Sequence, residues 1–137
     1  MCNTFHTSEE YQPKEIPSTG FAWKIFKPNG SGLFDSEYIQ KGRVPADLRF
    51  WVAWNSKYYP RLCEDGVCGF CGFSTKKDAL SLLRNLHREW RYTYDRCVIK
   101  KIQYDKGIGS ILSKEIDHIP RRFILFKRFR LAKEKKK

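Results

Sequence analysis

No apolar run in this chain approaches the 18 or so residues that a transmembrane helix requires. The first ten residues, Met1 to Glu10, also lack the basic region and apolar segment of a secretory signal. The expectation is a protein with no membrane partner, kept in the cytoplasm. Acidic residues are scarce: 15 Asp and Glu stand against 27 Lys and Arg, a formal net charge of +12. That balance excludes an acidic nucleic-acid mimic and points to polyanionic partners. The length of 137 residues leaves room for about one domain, and no internal repeat divides it.

What is present suffices for folding. Hydrophobic residues make up 41% and aromatics 15% of the chain, enough to fill a core despite 31% charged residues, so global disorder is excluded. Cysteine occurs five times, at Cys2, Cys63, Cys68, Cys71 and Cys97. An odd number without a secretion signal argues for thiols or metal ligands rather than a disulfide framework.

Residues 1–20 are polar, hold Pro13 and Pro17, and have little to bury, which predicts a flexible arm. A single domain over 21–131 follows. From Phe21 to Lys27 the sequence alternates, placing Phe21, Trp23 and Ile25 on one face of a strand, and Pro28 to Gly32 supplies hairpin-turn chemistry. Arg49 to Trp54 reads as a further strand of the same sheet. After the glycines at 66, 69 and 72, Thr75 is placed to cap a helix whose first turn carries Asp78. Ala79, Leu82, Leu83, Leu86 and Trp90 recur at helical spacing, with Arg84, Arg88 and Arg91 together on another side. Cys97 to Tyr104 and Arg121 to Leu131 read as two more strands, joined by a loop containing Gly107, Gly109 and Pro120. This order predicts an α+β fold, an antiparallel sheet with one long amphipathic helix packed across it. Residues 132–137, with four lysines, form a basic tail.

Five segments follow one order: Ala22-Trp-Lys-Ile-Phe26, Tyr38-Ile-Gln-Lys-Gly42, Gly69-Phe-Cys-Gly-Phe73 leading into the helix, Val98-Ile-Lys-Lys-Ile102 and Arg121-Arg-Phe-Ile-Leu125. Together they resemble a family of small, uncharacterised phage and prophage proteins. Those open on a Tyr-Lys-Val-Phe strand and pass through Tyr-x-x-Gly and Gly-Phe-His-x-Phe segments to a helix and terminal strands. Many also begin Met-Cys. The resemblance spans Phe21 to Leu131, with Cys71 where a histidine is frequent. It implies a phage-type accessory protein of the host-cell cytoplasm and brings no activity with it.

Cys63, Cys68 and Cys71 put three soft ligands within nine residues of a glycine-rich stretch, a partial zinc knuckle whose fourth ligand would come from Cys97 first, or from His87, His6 or Cys2. The structural alternative is a set of buried thiols acting as small hydrophobes. Two enzymatic readings are weaker. Removal of Met1 would leave Cys2 with a free amine and a thiol, as in N-terminal nucleophiles, but on a polar arm. Phe5-His-Thr-Ser8, with His6 as the histidine, followed later by Gly-Phe-x-x-Phe-Ser-Thr and a helix, resembles ADP-ribosyltransferases, with Glu115 the convenient acid.

Charge is concentrated at the C-terminus: from Arg121 to Lys137 there are nine basic residues and one acidic. On the terminal strand Arg122, Arg128 and Arg130 share one parity and Phe123, Leu125, Phe129 and Leu131 the other. The expected function is non-enzymatic binding of nucleic acid, or of an acidic host protein. Arg84, Arg88, Arg91, Arg121, Arg122, Lys127, Arg128 and Arg130 would supply the phosphate contacts. The alternative reading of these charges is an edge strand and tail defended against aggregation. A zinc-stabilised interaction module or a small transferase stands behind these readings.

Overall fold

The computed structural model describes residues 4–6, 14–29, 32–35, 45–46, 51–53, 66–68, 70–89, 97–113 and 118–133. Along the chain these form β1 (Thr4–His6), β2 (Gly20–Asn29), β3 (Gly32–Asp35), β4 (Pro45–Ala46), β5 (Val52–Ala53), β6 (Gly66–Cys68) and β7 (Phe70–Phe73). The helix α1 (Lys76–Glu89), β8 (Val98–Ser113) and β9 (Arg121–Leu131) follow. Among the described residues every strand pairing is antiparallel, and the α+β architecture is the one expected. Among the described residues no helix is long and apolar enough to cross a membrane.

Four strands organise the main sheet. β8 pairs with both β2 and β9, and β7 also pairs with both, so the path β2–β8–β9–β7 returns to β2. This closure curls the sheet. Phe26 of β2 and Phe129 of β9 lie two strands apart, roughly 10 Å for a flat sheet, yet their ring centroids are 6.1 Å from each other. The concave side is an aromatic cluster of Phe26, Phe70, Tyr104, Phe126 and Phe129 with Ala22 and Ile102. Phe70 meets Phe129 edge-on at 4.9 Å, and Tyr104 stacks on Phe126 at 5.5 Å.

One charge is enclosed there. Lys24 is fully buried; its ammonium donates to the carbonyl oxygen of Cys71 at 2.7 Å and lies 5.5–6.0 Å from the rings of Phe70, Phe126 and Phe129. Ring faces attract a cation at this range. Gly72 makes room for it: a Cβ at that position would stand 3.1 Å from Ala22 Cβ and 3.4 Å from Lys24 Cγ.

The convex side carries the helix. Thr75 Oγ1 accepts the Asp78 N–H at 3.2 Å, the expected N-cap. Ala79, Leu82, Leu83 and Leu86 bury against Ile25, Cys71, Phe73, Ile111, Phe123 and Leu125. Each leucine so enclosed stabilises the fold by about 1.5–3 kcal/mol. At 14 residues the helix is of ordinary length, and Trp90 lies outside the described residues.

Two features depart from the sequence reading. Gly107 and Gly109 belong to β8, which runs on to Ser113 instead of ending at Tyr104. They sit at a register shift where Ile108 is the extra residue, a bulge that glycines accommodate. Just before it, Lys106 adopts φ 54°. The alternation reverses there, and Phe126 and Phe129, of opposite parity, enter the same concave cluster.

The second departure is the segment 14–20, read as part of a flexible arm. Lys14 and Ser110 exchange two backbone hydrogen bonds of 2.7 and 2.8 Å, and the Gly107 N–H donates to Ser18 O at 2.9 Å. The Tyr104 hydroxyl donates to Pro17 O at 3.3 Å, and Ile16 packs on the concave cluster. The segment is laced to β8 because Gly107 lacks a side chain: a Cβ there would stand 2.6 Å from Pro17 O. Nearer the N-terminus, β1 pairs with β6. The expected strand Arg49–Trp54 is described only at Trp51 to Ala53, where Val52–Ala53 (β5) joins the sheet as expected by pairing with β9; Arg49, Phe50 and Trp54 lie outside the described residues.

Candidate nucleic-acid interface

The helix covers only part of the convex side. Phe21, Trp23 and Ile25 share that side, as alternation requires, but their exposure rises along the strand: Ile25 is fully buried, Trp23 half-buried and Phe21 55% exposed. Where cover ends, the cross-strand register builds a grid. Phe21 pairs with Gln103, which pairs with Arg130; Trp23 pairs with Lys101; and Asp105 pairs with Arg128. The pairing of Val52 with Phe129 sets Trp51 alongside Arg130 at the edge of this row.

Cations and rings interleave across the grid. Arg130 and Arg128 hold their guanidinium carbons 4.6 and 4.7 Å from the Trp51 ring centroid. The Lys101 ammonium is 4.7 Å from the Phe21 centroid and 5.9 Å from that of Trp23, and Lys76, in the first turn of the helix, is 5.4 Å from Trp23. Hydrogen bonds fix both arginines. Gln103 Oε1 accepts from Arg130 Nε and Nη2 at 3.2 and 3.1 Å, and Asp105 Oδ2 accepts from Arg128 Nη2 at 2.5 Å. The Asp105 carboxyl is held below the usual carboxylate range, first by the Lys106 backbone N–H, against some desolvation, and then by the bond and charge of Arg128. The surface is therefore a row of four cations and three aromatics with one carboxylate, its side chains oriented before any ligand arrives.

The residues singled out from the sequence fall in several places. Arg128 and Arg130 are in this grid. Arg84 and Arg88 are exposed on the helix, where with Lys76, Lys77, Leu80 and Asn85 they line a shallow groove of about 590 Å³. Arg121 is a correction: at 2% exposure it lies beneath the helix and donates to Ser81 Oγ at 2.9 Å, tying β9 to α1. Its parity with Phe123 and Leu125 carries it under the helix. Arg122 points to the other side and donates to Ser110 Oγ at 2.9 Å. Lys127 is half-buried, and Arg91 lies outside the described residues. The seven basic residues that are described thus do not form one surface.

Cys71 and Cys97 are buried in the helix-side cluster at 0% and 8% exposure. Cys68 ends β6, opposite Thr4; Cys63, Cys2 and Glu115 lie outside the described residues, and His6 is placed by its backbone alone, opposite Gly66. Among the described residues no three His, Cys, Asp or Glu side chains gather as a metal site.

Trp51, Phe21, Trp23, Lys101, Gln103 and Lys76 were not singled out as site residues. The one sequence signal was the Phe21–Trp23–Ile25 alternation, which marks a shared face without telling how far the helix covers it. Compared with protein-family models, curated proteins and solved structures, the chain matches none.

Proposed function

We propose that this protein binds nucleic acid without catalysing its chemistry, using the part of the convex sheet face that, among the described residues, the helix leaves uncovered. The observation that carries the reading is the interleaving of Lys76, Lys101, Arg128 and Arg130 with Trp23, Phe21 and Trp51. Cations give phosphate affinity, and flat rings beside them give bases a surface to rest on. Arg84 and Arg88 extend the positive field along the adjoining helix, and the +12 net charge speeds encounter with a polyanion. Phosphate contacts carry no sequence information, so affinity without marked base preference follows.

The test is a titration of labelled DNA and RNA oligonucleotides at low salt, repeated as salt rises. Affinity should fall linearly on a log–log plot, and Arg128→Gln with Arg130→Gln should lower the slope by roughly 0.7 to 0.9 for each phosphate no longer neutralised. Absence of binding at low salt, or a slope indifferent to both changes, overturns the reading and leaves an acidic protein as the partner.

A further inference from the structure

Resting on that reading, we infer that the ligand of this face is single-stranded, its bases stacking on Phe21 and Trp51 at the two ends of one cross-strand row. Three observations carry this further than charge does. The first is Phe21. It is 55% exposed on a sheet, with the Lys101 ammonium over its ring at 4.7 Å from the centroid. Leaving it there costs apolar burial, whereas an unpaired base would cover it.

The second is the geometry of the row. Phe21, Gln103 and Arg130 are successive cross-strand neighbours on β2, β8 and β9, with Trp51 next beyond Arg130. Three strand spacings, each about 4.8 Å along the sheet, separate the strand of Phe21 from the position of Trp51. Lys101 flanks the row on one side and Arg128 on the other, positions from which they meet phosphates while the rings meet bases.

The third is shape. A face three strands wide, bordered by a helix, is broader than the helix or two-stranded ribbon that the B-form major groove admits. In a duplex the bases are stacked on each other and turned inward, so Phe21 and Trp51 would find only sugar and phosphate. Unpaired bases expose a π-face to such rings, and because every base has one, the preference is for strandedness and not for sequence.

The experiment measures fluorescence anisotropy of a labelled 12-nucleotide oligothymidine, the matching oligouridine and a 12-base-pair duplex, each at several salt concentrations, for the wild type, Phe21→Ala and Arg130→Gln. Single strands should bind at least tenfold more tightly than the duplex. Phe21→Ala should weaken single-strand binding about 5- to 150-fold, the range for removing one stacked base, with duplex binding and the salt slope unchanged. Phe21 is exposed, so the melting temperature of this variant should stay near that of the wild type, and circular dichroism confirms it. Equal affinity for duplex and single strand, with Phe21→Ala neutral and Arg130→Gln weakening both, refutes the single-strand inference and leaves the nucleic-acid reading standing. No binding by any probe refutes both. Comparison of oligothymidine with oligouridine separates DNA from RNA preference, since only the latter carries a 2′-hydroxyl.

Discussion

Arg130 lies with its guanidinium carbon 4.6 Å from the centre of the Trp51 ring while its Nε and Nη2 hydrogen-bond the single oxygen of Gln103. The side chain is held on one face by an aromatic plane and along one edge by an amide. A long, flexible cation is thereby fixed in advance, which reduces the ordering entropy lost when a phosphate binds.

Asp105 is the negative group within this row, and its removal should strengthen binding. Asp105→Asn frees the Arg128 guanidinium from its carboxylate and raises the local charge by one. The expected result is a severalfold gain in affinity at low salt that shrinks as salt screens it. The same variant has a pH signature. Because the folded-state carboxyl is held below its unfolded value, its contribution to stability is present above the unfolded pKa, about 4, and is lost as pH falls through the lower folded value. Denaturant midpoints measured from pH 6 down to 2 should therefore fall less for Asp105→Asn than for the wild type.

Gly107→Ala should unfold or severely weaken the protein. The new methyl would stand 2.6 Å from a backbone oxygen, that of Pro17, so the N-terminal segment and β8 must separate. Urea denaturation should show a loss of several kcal/mol, in the upper range for single substitutions. Tyr104→Phe, which removes only the hydroxyl donated to Pro17 O, should cost about 0.5–1.5 kcal/mol.

The contrast between these glycines and the helix shows what a sequence discloses. The helix was legible from Thr75 and the Leu82–Leu83–Leu86 spacing because both cap and periodicity are local. β2, β9 and the β2–β3 hairpin were legible for the same reason. Gly107 read as a loop because its role depends on Pro17, far earlier in the chain. Arg121 and Arg130 are indistinguishable as letters; the cover of α1 over one end of β9 buries the first and leaves the second beside Trp51. The aromatic and cationic row is a product of register between β2, β5, β8 and β9, and register between distant strands is written in no local pattern.

Lys24 offers a test of the concave core. Lys24→Met keeps the stem but removes the ammonium that donates to the Cys71 carbonyl oxygen, and it should cost about 1–3 kcal/mol, the range for losing a buried hydrogen-bond partner. Lys24→Ala leaves a cavity among Phe70, Phe126 and Phe129 and should cost about 2–5 kcal/mol.

Cys71 and Cys97 separate a core role from a metal role. Packed as small hydrophobes beneath the helix, they should leave protein purified without chelator at well under one equivalent of zinc, with melting unchanged by a chelator. About one equivalent of zinc, with melting lowered by chelator, would instead assign Cys63, Cys68, Cys71 and Cys97 as ligands.

Photo-crosslinking tests the central claim most directly, because it reports where the ligand lies. A short 4-thiothymidine oligonucleotide is irradiated with the protein, digested and mapped by mass spectrometry. The account predicts adducts on Phe21, Trp51 and Lys101, the residues of the uncovered convex face. Adducts confined to the lysines of residues 133–137, or found on the Arg122 side of the sheet, would contradict it.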